Sequence, residues 1–322
     1  MKPVACLCAL LLPFSVAAQA PAKTTFSAET RLLTTSIRTG DTEVFWINPV
    51  TGDAFNITKA PSSEERYPVW SPDGRRVAFT SNRTGSYQLY IANANADGSN
   101  VRQLTPPSSA TVVYYFPSWT ADGGQIWFNL ADDTRNKAVI GFVTPDGKTY
   151  REVSDGRDGA ISPDGKTIAF TKRVTTGFCL FAMNADGSNV RQLTQHQDDI
   201  GAVSPTWSPS GRQILYSDQV GDVLELFIYD LNTRQSRQLT RLGQISSSGA
   251  WSPDGRWVTF RLTGDAYWRN AAARDKAYLD KQPDKRPVWV IGADGSDPHV
   301  LEALRYHCAI DGSRAAWWPG TR

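Results

Sequence analysis

Short runs of β-branched and aromatic residues, taken four at a time, alternate with turn-forming clusters along most of this 322-residue chain. The stretch Tyr67–Thr105, YPVWSPDGRRVAFTSNRTGSYQLYIANANADGSNVRQLT, sets the pattern. Apolar residues gather around the Trp, in VAF, in LYIA and in the closing RQLT. Runs of this length and composition predict strands. Ser-Pro-Asp-Gly predicts a tight hairpin between the first two, because Pro presets φ, Asp bonds nearby backbone and Gly accepts a positive φ. Ala-Asp-Gly-Ser does the same between the third and fourth.

The pattern recurs. It appears in Phe116–Ser154 (FPSWTADGGQIWF…), Ala160–Thr194 (AISPDGKTIAF…) and Ser204–Thr240 (SPTWSPSGRQILY…). A fifth copy starts at Gly249 with GAWSPDGRWVTFRL and resumes at Val288 with VWVIGADGSDPHVL. The turn positions Asp73, Asp122, Asp164, Ser210, Asp254 and Asp311 lie 42 to 57 residues apart. Four antiparallel strands repeated at such a period predict a radial array, since one unit cannot cover both of its own faces. The two chain ends hold one more unit. HCAIDGSRAAWW (His307–Trp318) matches its inner part, and RLLTTSI with EVFWINPVTGDAFNIT (Glu43–Thr58) matches its outer strands. Whether RLLTTSI or RAAWW supplies the second strand is open at this level. The expected fold is therefore all-β: a six-bladed β-propeller of four-stranded antiparallel blades, its last blade closed by both chain ends.

These WSPDG-type units resemble the WD40-like propeller repeats of the TolB family over nearly all of the chain after its N-terminal segment. The resemblance implies a propeller that binds rather than catalyses, in contact with envelope proteins such as a peptidoglycan-associated lipoprotein. TolB proteins carry an α/β domain ahead of the propeller. Here about ten residues separate the N-terminal segment from the first strand, which points to a paralogue with a different partner.

The N-terminal segment modifies the picture. Met1-Lys2, an apolar run from Val4 to Val16 and the small residues of Ala18-Gln19-Ala20 form a secretory signal with cleavage expected after Ala20, leaving residues 21–322 as the propeller. The apolar run is too short to span a bilayer, which takes about 20 residues. The expected location is the periplasm. Cys6 and Cys8 leave with the signal, and Cys179 and Cys308 are expected to be separate buried thiols. The formal net charge is +2, which gives no electrostatic footprint for nucleic acid. A monomer that does not span the membrane is expected.

In such blades the SPDG and ADGS hairpins share one face, where their repetition marks them as structural. Loops between blades, and those after each second strand, share the other. That face is irregular, and variable loops on a rigid scaffold are where recognition concentrates. Its candidate binding residues are Arg66, Tyr67, Tyr115, Arg157, Asp158, Asp198, Arg305 and His307. The mixture suits a protein or a small polar ligand. The fifth copy also departs from the repeat. Its turn signals Asp254 and Asp294 lie 40 residues apart, against 22 to 24 elsewhere. The extra residues, about 263–287, predict a helical insert opened by Asp265 and limited by Pro283, with Tyr267, Trp268 and Tyr278 on one face.

No catalytic residues emerge. His196, His299 and His307 lack metal-ligand spacing, so neither a metal nor another cofactor is expected. That scatter matches poorly with propeller lyases such as oligogalacturonate lyase, the alternative saccharide-acting reading. No Gly-x-Ser-x-Gly elbow, P-loop or dinucleotide fingerprint occurs.

Overall fold

The computed structural model describes residues 26–37, 39–95, 99–175, 177–195, 203–263, 287–304 and 314–320. Among them, six four-stranded antiparallel sheets form the blades of a propeller. Blades one to five follow the chain from Glu65, Val112, Arg157, Val203 and Ile245, the start of each innermost strand. The helical content of the described residues is one 3-10 turn, Glu302–Leu304.

Blade six resolves the question left by the sequence. Its strands run, from the inside outward, Ala316–Trp317, Leu32–Ser36, Glu43–Ile47 and Ala54–Asn56. RLLTTSI is therefore the second strand and RAAWW the innermost one. Asp311 lies outside the described residues. Trp317, at the end of this innermost strand, takes the place that Trp70 holds in blade one. The predicted helical insert and the signal segment lie outside the described residues, as does Cys308; Cys179 is buried.

Period-two alternation explains how the blades stack. In the second strand of blade one, Val77 and Phe79 join a buried cluster with Leu33 and Val44 of blade six, while Ala78 between them joins a cluster with blade two. Among the described residues there are six such clusters, each spanning two neighbouring blades. The one between blades five and six, with Val288 and Val290 against Leu32, Ile47 and Trp317, closes the ring.

The repeated turn is a self-contained box. Ser71 donates its hydroxyl to Asp73 at 2.5 Å and accepts from the backbone N–H of Arg76 at 2.9 Å, while Arg75 N–H bonds Asp73 at 3.1 Å. Ser162 with Asp164 and Ser252 with Asp254 repeat it. Gly74 sits at φ +66°, and a Cβ there would meet the Trp318 indole at 2.4 Å. The fourth strand is pinned by its closing Thr. Thr58, Thr105, Thr194 and Thr240 each accept from a third-strand N–H at 2.8–3.1 Å. Three of these hydroxyls donate onward, to Glu43, Gln88 and Glu225, which are buried carboxylates or amides.

Candidate functional site

Each innermost strand of blades one to five slips its register by a bulge. At the slip stands a non-glycine residue in the left-handed region: Tyr67 (φ 53°), Phe116 (46°), Asp158 (54°), Ser204 (55°) and Ser248 (57°). Such a conformation costs about 1–3 kcal/mol per residue and persists only where surroundings impose it. The second strand supplies part of that support. Thr80 donates to Arg66 O at 3.3 Å, Asn129 to Phe116 O at 3.4 Å and Thr171 to Arg157 O at 3.2 Å, so carbonyls freed by the bulge stay paired. Tyr67 and Phe116 line the cavity at the centre of the ring, and Asp158 interacts electrostatically with Arg314, which lines it too.

Arg314 enters the same space from blade six. Its guanidinium donates to Ser204 O at 3.0 Å and Pro205 O at 3.2 Å in blade four, and lies 5.0 Å from the ring centre of Phe116 in blade two. Tyr67 meets Phe116 edge-on at 4.6 Å, and Tyr115 packs on Phe116 at 5.4 Å. One arginine thus spans the channel and joins blades two, four and six. Asp158 sits beside it and accepts from Ser204 N–H at 3.3 Å.

The electrostatics follow from enclosure. Burial pushes the Arg314 guanidinium down to about 10, against the opposing pull of Asp158. Burial pushes the Asp158 carboxyl up, opposed by the Ser204 N–H, Arg314 and Arg157. Both side chains are half-buried. The Tyr115 hydroxyl is likewise pushed up by burial, with Asp158 adding to the effect.

The cavity at the centre of the ring has a volume of about 310 Å³. Tyr67, Phe116 and Arg314 form its floor, and Pro68, Ala160, Thr206 and Ala250 stand in its walls. Its mouth is lined by Trp119, Ile161, Trp207 and Trp251, each just before a hairpin turn, and by Trp317. Trp207 donates its indole N–H to Ala160 O at 2.9 Å. The indole N–H groups of Trp119, Trp251 and Trp317 are buried without a hydrogen-bond partner. Because Ala121, Pro163 and Pro209 of the hairpin turns also line it, the cavity lies at the regular face.

The sequence candidates divide accordingly. Tyr67, Tyr115 and Asp158 converge around Phe116 and Arg314. Arg66 stands apart, 2.7 Å from Glu64 and stacked 4.5 Å from the Tyr87 ring centre. Arg157 lies on the irregular face with its guanidinium 5.8 Å from the Phe178 ring. Asp198, Tyr267, Trp268, Tyr278, Arg305 and His307 lie outside the described residues, as does His196. His299 bonds Asp297 O at 2.8 Å at the outer edge of blade five. Among the described residues no three His, Cys, Asp or Glu converge as a metal cluster. Phe116, Arg314 and the mouth tryptophans were not among the candidates. The Trp carried a signal, its recurrence before the turn in four of the five copies, but recurrence reads as structural.

Residues 13–202 match the family described as "TolB beta propeller domain". An uncharacterized protein of Agrobacterium fabrum is 25% identical over 196 residues, 60% of this chain and 60% of that protein. The Tol-Pal system protein TolB of Francisella tularensis is 30% identical over 138 residues, 41% of this chain and 31% of that protein. The chain thus spans less than two thirds of the length of these relatives. The crystal structure of TolB from Acinetobacter baumannii covers 90% of this chain and 66% of its own, with a TM-score of 0.67 at 16% identity. That likeness is one of fold alone.

Proposed function

The chain belongs to the TolB β-propeller domain family, and we propose that it is an exported, non-enzymatic binding protein of the periplasm that presents its channel mouth to a protein partner. The observation that carries this reading is the cavity of about 310 Å³ on the regular face, with tryptophan at its mouth and Arg314 and Tyr67 at its floor. Tryptophan, tyrosine and arginine are the side chains that dominate binding energy at interfaces, and a concave, mostly apolar pocket lets a partner bury an anchor side chain. The propeller holds Tyr67 and the tryptophans on strands rather than loops, so little ordering of these groups is needed when the partner arrives. The kinship with Tol-Pal system proteins supports an envelope partner. Because the chain spans only part of those relatives, the partner here need not be theirs.

The test fills the cavity from its wall. Thr206→Trp should lower the affinity for a partner identified by capture from envelope extract by about tenfold or more, measured with purified proteins. Unchanged affinity, with unchanged thermal stability, would overturn the channel-mouth reading.

A further inference from the structure

Blades two and three place their second hairpins side by side on the irregular face, and the two carry charge differently. In blade two the cations are neutralised. Arg135 pairs with Asp132 at 2.5 Å and approaches Glu152 at 3.9 Å, and Lys137 lies 3.8 Å from Glu152 and 3.5 Å from Asp155. In blade three, Arg157, Lys172 and Arg173 border a cleft of about 280 Å³ together with Thr171, Phe178 and, from blade two, Asn136. All three cations are exposed, and none forms an ion pair with a described residue. Among the described residues the cleft lining contains no acidic residue.

Three like charges around one cleft repel, and a chain of net charge +2 has no general excess of cations to explain them. The Arg157 guanidinium rests 5.8 Å from the Phe178 ring centre, which orients its plane while its N–H edges stay available. Arginine forks fit carboxylates in pairs of parallel hydrogen bonds. A volume of about 280 Å³ admits a few side chains, not a folded domain. Phe178 adds an apolar surface beside the charges.

We propose that this cleft binds an acidic segment of a polypeptide partner, with carboxylates on Arg157 and Arg173, Lys172 adding long-range attraction and Phe178 receiving an apolar neighbour. It is a second interaction surface, on the face opposite the channel mouth, and it stands independently of the channel reading.

The test uses the mature full-length protein and a fluorescent eight-residue peptide of alternating Glu and Phe, read by anisotropy at low and high salt. The wild type should bind it, with affinity falling as salt rises. Arg157→Glu with Arg173→Glu should weaken binding by about tenfold or more, and the double Lys variant, which keeps charge but loses the forks, by a few-fold. Arg241→Glu combined with Lys59→Glu makes the same charge change at other exposed sites on this face and should leave binding within about twofold. Equal loss in that control would overturn the cleft in favour of general attraction. Absence of binding at low salt would overturn it as well. Stronger, Arg157-dependent binding to phosphatidylglycerol vesicles or to oligogalacturonate than to the peptide would overturn the assignment to a polypeptide.

Discussion

Arg261 donates a hydrogen bond from Nη2 to the Thr34 hydroxyl at 2.8 Å, across 227 residues of sequence. Arg261 is the bulkiest of the fully buried side chains, 1% exposed, and lies on the second strand of blade five. Thr34 lies on the N-terminal strand that completes blade six. Two residues along the same strand, Thr259 donates to Ala315 O at 2.7 Å. Blade five thus grips both chain ends, and the ring is held there by polar contacts as well as by packing. Arg261→Met keeps most of the volume and removes the fork. It should cost about 1.5–3 kcal/mol, the range for a hydrogen bond to a charged group. Thr34→Val should cost about 1 kcal/mol. Denaturant unfolding measures both, and limited proteolysis of Arg261→Met should cut first near the N-terminal strand.

Gly141 on the third strand of blade two has no room for a side chain. A Cβ there would lie 2.4 Å from Arg151 O and 2.7 Å from the Phe128 ring. Backbone on one side and a core aromatic on the other leave no easy relaxation. Gly141→Ala should therefore destabilise by about 2–3 kcal/mol through overpacking, read as a lower denaturation midpoint. A neutral result would mean that the neighbouring strand shifts freely.

The turn boxes should make stability depend on acid. The Ser71 hydroxyl holds the Asp73 carboxyl below the usual aspartate range, and Thr120 and Ser162 do the same for Asp122 and Asp164. With the folded pKa below the unfolded one, the stabilisation is present above the ordinary aspartate value of 3.8 and is lost as pH falls through the lowered values. Melting temperature should stay level near neutrality and drop below about pH 4. Asp73→Asn combined with Asp164→Asn should lower it at pH 7, and the difference from the wild type should narrow at pH 3.

Export has a direct readout. Protein recovered from the periplasm of a producing bacterium should begin at Pro21, as shown by N-terminal sequencing. Retention of residues 1–20 in the recovered protein would refute the predicted cleavage.

Legibility in the sequence tracks the distance over which each feature is built. The box from Ser71 to Arg76 closes within six residues, so Ser-Pro-Asp-Gly announces it wherever it occurs. The spacing of those boxes then dictates blade number, and the unmatched pieces at the two ends dictate a shared last blade, because a ring must close. The order within that blade was not legible. Ala316–Trp317 and Leu32–Ser36 are both short apolar runs, and only their pairing, Leu32 with Trp317, places one inside the other.

The cluster around Arg314 belongs wholly to the tertiary structure. Period-two alternation assigns each side chain of a straight strand to one blade face or the other, but the bulges at Tyr67, Phe116 and Asp158 break that alternation. Arg314 reads in the sequence as an ordinary surface cation before a short strand. Its contact with Ser204 O spans 110 residues, and it exists because ring closure brings blade six within reach of blades two and four. The sequence by itself determined the turns, the blades and their number, since those rest on local backbone preference and on a repeated apolar pattern. Closure of the ring decided what faces the channel, because that depends on which distant strands share its centre.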